Sequence, residues 1–119
     1  MELNFIKSWP KEWQKEIDEY LMGKRKKFDI KPKLIGTEFQ KAVWHEIVKI
    51  PYGETRTYKE IAKNIGRPKA VRAVGTACGK NQFPIIIPCH RVLASNGLGG
   101  FSLDLDLKKK LLEIEKNKR

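Results

Sequence analysis

The sequence predicts a mainly α-helical fold with a short strand, built around a helix-turn-helix. Three observations carry this. Apolar residues recur at three- and four-residue intervals along most of the chain, two of the runs open on a capping box, and two short runs are joined by the tight link Gly66-Arg67-Pro68. With 119 residues, 40% of them apolar, one compact unit is expected.

From Trp9 to Met22 the pattern Trp13, Ile17, Tyr20, Leu21 describes an amphipathic helix ended by Gly23. Gly23 to Gly36, rich in lysine and interrupted by Pro32, reads as an extended basic connection with a short strand around Phe28 to Ile30. Residues 1–35 therefore form an N-terminal helix and linker, and residues 36–119 a second region. Thr37 stands three residues before Gln40, a capping box for a core helix through Phe39, Val43, Trp44 and Ile47 that stops before Pro51. Thr57 and Glu60 repeat the signature ahead of Tyr58, Ile61, Ala62 and Ile65, a short helix closed by Gly66. Pro68, suited to a first helical position, opens a run in which Ala70, Val71, Val74, Ala77 and Cys78 share one face and Gly79 ends the helix. Pro84-Ile85-Ile86-Ile87-Pro88 reads as a buried strand between prolines that delivers Cys89-His90-Arg91-Val92 at its end. A last helix carries Leu111, Leu112 and Glu115 on its apolar side.

Lys and Arg total 25 against 14 Asp and Glu, a formal charge of +11. Such an excess suits a polyanionic partner, nucleic acid first, or marks a lysine-rich solvated surface. The second helix of the helix-turn-helix bears on the choice, because its outward face presents Arg72, Gly75, Thr76 and Gly79. A glycine inside a helix costs about 1 kcal/mol relative to alanine, so close approach of a nucleic-acid backbone or of another helix must compensate for Gly75. No run is long and apolar enough to span a bilayer, and the N-terminus lacks the pattern of a secretory signal, so a cytoplasmic site is expected. The two cysteines are too few for a disulfide framework, and no Cys/His cluster has metal-ligand spacing, so free thiols, no metal and no cofactor are expected.

A nucleophilic thiol needs its thiolate form, and His90 and Arg91 are the neighbours able to lower the pKa of Cys89. A lone Cys-His pair favours a structural cysteine beside an ordinary histidine, and only wider context overturns that reading. The context extends further. Ile86-Ile87-Pro88-Cys89-His90-Arg91-Val92 resembles the active-site signature of the O6-alkylguanine-DNA alkyltransferases, the methylated-DNA–protein-cysteine methyltransferases. Gly36-Thr37-Glu38-Phe39-Gln40, Val43-Trp44, Tyr52-Gly53-Glu54-Thr55, Thr57-Tyr58 and Pro68-Lys69-Ala70-Val71-Arg72-Ala73-Val74-Gly75 are similar to the family's pattern, in its order, from Gly36 to Glu115.

The resemblance implies a winged helix-turn-helix-like C-terminal alkyltransferase domain over 36–119, with residues 1–35 a reduced N-terminal domain. It also implies irreversible, single-turnover transfer of an alkyl group from O6-alkylguanine, or O4-alkylthymine, in double-stranded DNA after base flipping. By resemblance Cys89 is the acceptor, His90 its base through a water, Glu115 the group orienting the histidine, and Asn81 the support of the turn. Tyr58 resembles the tyrosine that hydrogen-bonds the flipped base, and Arg72 the arginine that fills the vacated stack. Ala70, Gly75 and Thr76 belong to the helix surface in the minor groove. Lys59, Arg67 and Ser95 resemble backbone contacts, while Val92, Phe101 and Ser102 belong to the substrate pocket. Phe101-Ser102-Leu103 stands where many members carry Tyr-Ser-Gly. The resemblance implies a monomer without metal.

Three other readings are weighed. A lesion sensor of the alkyltransferase-like type carries another residue in place of the cysteine, which Cys89 opposes. A Cys-His hydrolase needs an oxyanion hole and leaves the helix-turn-helix unexplained. A transcription factor with an incidental thiol predicts tight binding to one sequence and no covalent product.

Overall fold

The computed structural model describes residues 3–101 and 103–118. A 3-10 turn at Asn4–Ile6 precedes helix α1 (Lys11–Leu21), which is followed by the linker and helix α2 (Glu38–Val48). Strand β1 (Arg56–Thr57) runs directly into α3 (Tyr58–Asn64), and α4 (Val71–Gly79) follows after a turn. A second 3-10 turn, Cys89–Arg91, leads into β2 (Val92–Leu93), and α5 (Leu105–Lys118) closes the chain. The strands pair in parallel, Arg56 with Val92 and Thr57 with Leu93.

Local chemistry sets the helix ends. Thr37 Oγ1 accepts from the Gln40 N–H at 3.0 Å while Gln40 Oε1 accepts from the Thr37 N–H at 3.0 Å. Thr57 and Glu60 repeat this at 3.1 and 2.9 Å. Each cap contributes about 1 kcal/mol by satisfying amides that the helix itself leaves open. Helices α1 and α3 both end on a left-handed glycine, Gly23 at φ 75° and Gly66 at φ 77°. There the amides of Lys24 and Arg67 reach back to the carbonyls of Glu19 and Ala62 at 2.8 and 2.9 Å, the Schellman arrangement. At Gly66 this closure sets the angle between α3 and α4.

Two apolar clusters share the interior. The first gathers Val43, Trp44 and Ile47 of α2, Ile61 and Ala62 of α3, and Val74, Ala77 and Cys78 of α4, with Ile87, Cys89 and Val92. Trp44 Nε1 donates to the Ala77 carbonyl at 2.9 Å and so locks α2 to α4. The second joins Leu3, Ile6, Ile17 and Tyr20 from the N-terminal segment to Ile85, Ile86 and Leu111.

Several expectations are corrected. Residues 84–88 are not a strand: Pro84 bridges to Ile87, the Ile87 amide bonds the Phe83 carbonyl at 2.9 Å, and Ile85 lies at φ 76°. The reason is burial in two directions, since Ile85 and Ile86 enter one cluster and Ile87 the other. A pure aliphatic run cannot reveal that division. No strand forms at Phe28 to Ile30, where Phe28 lies 5.5 Å from the Tyr20 ring and the Asp29 amide is held by Glu16. Pro68 lies in the turn before α4 rather than at its first position, and Val71 is exposed rather than on the buried face.

Candidate active site and nucleic-acid interface

Pro88 ends the double turn of residues 84–88, and the chain then winds into the short 3-10 turn that carries Cys89, His90 and Arg91, all buried. Asn81, just past α4, straps this turn in place. Its amide donates to the Ile87 carbonyl at 2.9 Å and to Cys89 Sγ at 3.3 Å, while its oxygen accepts from the Phe83 amide at 2.9 Å.

His90 points the other way, into a polar knot inside the protein. Its Nε2 lies 2.6 Å from Glu115 Oε2 and 3.2 Å from the Tyr20 hydroxyl, which donates to Glu115 Oε2 at 2.5 Å. Arg91 grips the same carboxylate through Nε at 2.8 Å and Nη2 at 3.0 Å, and its Nη1 donates to the Ile50 carbonyl. The Gly53 amide completes the set at 3.0 Å. Glu115 sits in the last turn of α5, where an anion opposes the helix dipole; the guanidinium and these donors offset that penalty.

Burial alone would raise the Glu115 carboxyl, but hydrogen bonds and charge from His90 and Arg91 pull it down to about 2. Burial lowers His90 despite the pull of Glu115, so the ring is neutral at physiological pH. Both partners of Nε2 are acceptors, because the phenol proton is already committed to the carboxylate. Nε2 therefore carries the ring proton and Nδ1 the lone pair. Nδ1 is buried and bonds no atom among the described residues.

The expected lowering of the Cys89 thiol is not found. A hydrogen bond with Cys78 and then burial hold it well above its ordinary value, against weaker opposing effects of Asn81 and Lys108. Arg91 turns to Glu115 and Ile50, away from the sulfur. The resting group is a neutral thiol, and its proton must leave as it reacts.

Cys89 forms part of the lining of a pocket of about 720 Å³, the size of a small-molecule site. Tyr58, Phe101 and Gly100 stand on one side, and Arg72, Gly75, Thr76 and Gly79 of α4 on another. A Cβ built at Gly75 or at Gly79 meets no atom within 4 Å, so packing inside the protein does not call for either glycine. Gly99, at φ 73°, lies under Tyr58: a Cβ there would come within 2.8 Å of the ring. Lys59, Arg67 and Ser95 are exposed and Ala70 is half-buried; none of the four lines the pocket. The Val92 side chain lies wholly in the core rather than on the pocket wall, and Ser102 lies outside the described residues.

Two residues of the site went unnoticed in the sequence. Tyr20 reaches it from α1, and its place on the apolar face beside Ile17 carries no sign of Glu115. Lys108 is fully buried, with Nζ donating to the Val92 and Gly100 carbonyls at 2.7 Å each, and burial lowers it to about 8. Tyr58 Oη donates to the same Gly100 carbonyl at 3.3 Å, so Lys108 braces the loop that faces the pocket. Here a signal existed, because Lys108, Leu111 and Glu115 fall on one helical face. Among the described residues no group of three or more His, Cys, Asp or Glu side chains is placed to hold a metal, and no helix is long and apolar enough to cross a membrane.

Comparison with known proteins matches residues 38–117 to the family model of the 6-O-methylguanine DNA methyltransferase DNA-binding domain. A methylated-DNA–protein-cysteine methyltransferase of Methanosarcina acetivorans is 54% identical over 106 residues, which cover 88% of this chain and 68% of that protein. The crystal structure of a Mycobacterium tuberculosis OGT in complex with DNA is 46% identical with a TM-score of 0.86, covering 89% of this chain and 66% of the other. S. pombe Atl1, in complex with damaged DNA containing O6-carboxymethylguanine, is 35% identical with a TM-score of 0.59, over 69% of this chain and 79% of that one.

Proposed function

This chain belongs to the 6-O-methylguanine DNA methyltransferase family, and from that premise we propose that it repairs alkylated DNA by moving the alkyl group from guanine O6 onto Cys89. The observation that carries the reading is the placement of Cys89 Sγ in a pocket bordered by the recognition helix, with a neutral histidine behind it. A base stacked in the duplex cannot present its O6 substituent to a buried sulfur, so the nucleotide must be turned out into this pocket. Arg72, exposed on α4, occupies the space that the base leaves, and the open surface over Gly75 and Gly79 admits the DNA backbone. Tyr58, held from below by Gly99, faces the extruded base.

The chemistry follows from the proton inventory. His90 Nδ1 accepts the thiol proton through a water, and the imidazolium that forms is stabilised at Nε2 by Glu115, which stays ionised. Sulfur forms a bond to the alkyl carbon as the bond from that carbon to O6 breaks, and guanine leaves as an anion that takes up the proton the thiol gave, returned from the imidazolium through the water. The product is a thioether with no easy hydrolytic return to the thiol, so each molecule acts once. Asn81 holds the sulfur in position throughout. The protein works as a monomer in the cytoplasm, on double-stranded DNA.

The test is transfer of labelled methyl from a duplex containing O6-methylguanine. One methyl per molecule on the Cys89 peptide, abolished by Cys89→Ser, is expected. Label on another residue, or repeated turnover, overturns the reading.

A further inference from the structure

Two thiols share the pocket, and alkyl transfer uses only one of them. Cys78, in the last turn of α4, lines it together with Cys89, and both belong to the same apolar cluster. Asn81 spans the pair, its backbone N–H bonded to the Cys78 carbonyl at 3.2 Å and its side-chain amide to Cys89 Sγ at 3.3 Å. A purely structural cysteine would be closed in by aliphatic neighbours. Cys78 instead lines, with Cys89, a cavity that must open to ligand.

We propose that Cys78 and Cys89 are joined in a reversible disulfide when a peroxide enters the pocket, which makes the acceptor sulfur a site of oxidation as well as of alkylation. Cys89, giving its proton to His90, attacks the O–O bond of hydrogen peroxide. Its sulfur is oxidised to the sulfenic acid, and the other oxygen leaves as water. The Cys78 thiol then attacks that sulfur, the S–S bond forms, and the sulfenic oxygen leaves as a second water. The two thiols give up two electrons and two protons, and the peroxide takes both. A dithiol reverses the change by exchange.

The pairing matters because a sulfenic acid left alone proceeds to sulfinic acid, which a dithiol cannot reduce. With Cys78 in the same pocket, the acceptor is set aside in recoverable form. Alkylation excludes the disulfide, since the thioether has no thiol proton to lose and no site for the sulfenic oxygen. The bond itself is independent of the repair reading; only its effect on methyl acceptance rests on that reading.

The experiment treats the full, reduced chain with roughly a tenfold molar excess of hydrogen peroxide, because the disulfide consumes one peroxide and sulfinic acid two, then blocks free thiols and maps tryptic peptides without reductant. Cleavage at Lys80 parts the two cysteines, so a disulfide appears as the Cys78 peptide linked to the Cys89 peptide, with two hydrogens lost from the intact mass. Methyl acceptance from O6-methylguanine duplex should fall with the linked fraction and return on adding dithiothreitol. In Cys78→Ser the same treatment should carry Cys89 to sulfinic acid, with recovery by dithiothreitol at least about threefold lower. Absence of the linked peptide in the wild-type chain overturns the proposal, as does full recovery in Cys78→Ser or a disulfide between two chains. If Cys78→Ser does not fold, the wild-type map and its reversal decide alone. A linked peptide in a chain that accepts no methyl tells against the repair reading and leaves the disulfide standing.

Discussion

The carboxylate of Glu115 gathers a phenol, a backbone amide and the adjacent His90 and Arg91 in the interior, partners drawn from three separate stretches of chain. Tyr20 is the least expected, since 95 residues separate it from Glu115. Tyr20→Phe keeps the ring and removes one buried hydrogen bond, so single-turnover methyl transfer should slow about fivefold, the equivalent of about 1 kcal/mol. Without the phenol the carboxylate becomes more basic and holds the histidine proton more tightly, so the acid limb of the pH–rate profile should also move to higher pH. An unchanged rate and limb would leave Tyr20 a packing residue. Stability has its own pH dependence. His90 is lowered on folding, so below its ordinary 6.5 the unfolded chain takes up a proton that the folded chain refuses, and stability falls as pH falls. Glu115 is lowered from 4.5 to about 2, and its contribution, complete above 4.5, is lost as pH falls through that interval. Both act in one direction, so urea midpoints should decline from neutral pH downward, and a midpoint that rises toward pH 4 would contradict both assignments.

Among the elements, α4 has two faces with different obligations. Val74, Ala77 and Cys78 are buried, and Trp44 bonds the Ala77 carbonyl, so this face answers to the core. The face bearing Arg72, Gly75 and Gly79 meets open space at both glycines, so it answers to something outside the protein. Gly75→Gln should consequently raise thermal stability slightly, by about 0.5–1 kcal/mol of recovered helix propensity, while weakening duplex binding roughly tenfold. Two effects of the same sign would argue against a backbone contact at Gly75. Arg72→Ala should slow repair of duplex DNA about tenfold more than reaction with free O6-benzylguanine, because the role proposed for it is to stabilise the extruded state. Equal losses on both substrates would remove that role. The 84–88 double turn is the other unusual element: a left-handed isoleucine costs about 1–2 kcal/mol, offset here by burying Ile85 and Ile86 against the N-terminal helix.

At the scale of the whole molecule part of the formal charge of +11 lies around the pocket. Lys59, Lys63, Arg67, Lys69, Arg72 and Lys80 are exposed on and around α3 and α4, beside the pocket. Binding to undamaged duplex should therefore be weakly dependent on sequence and fall with salt, with a log–log slope of about −4 to −6 if most of these residues meet phosphates. A salt-independent affinity would count against this face. The segment before Gly36 is also part of the whole, because Leu3, Ile6, Ile17 and Tyr20 share a core with Ile85, Ile86 and Leu111. What the sequence by itself determined are the features written within a few residues of one another: the boxes at Thr37 and Thr57, the glycine stops at Gly23 and Gly66, the tight link between α3 and α4, and the motif around Cys89. Such signals survive in one dimension because caps, turns and helix faces are closed by neighbours in the chain. Tertiary structure alone decided that three isoleucines make a turn rather than a strand, that Arg91 serves Glu115 rather than the sulfur, and that Tyr20 and Cys78 arrive at the site. Each of these depends on which distant surfaces pack together, and for buried polar groups the partner that satisfies them is chosen by that packing rather than by the residues on either side.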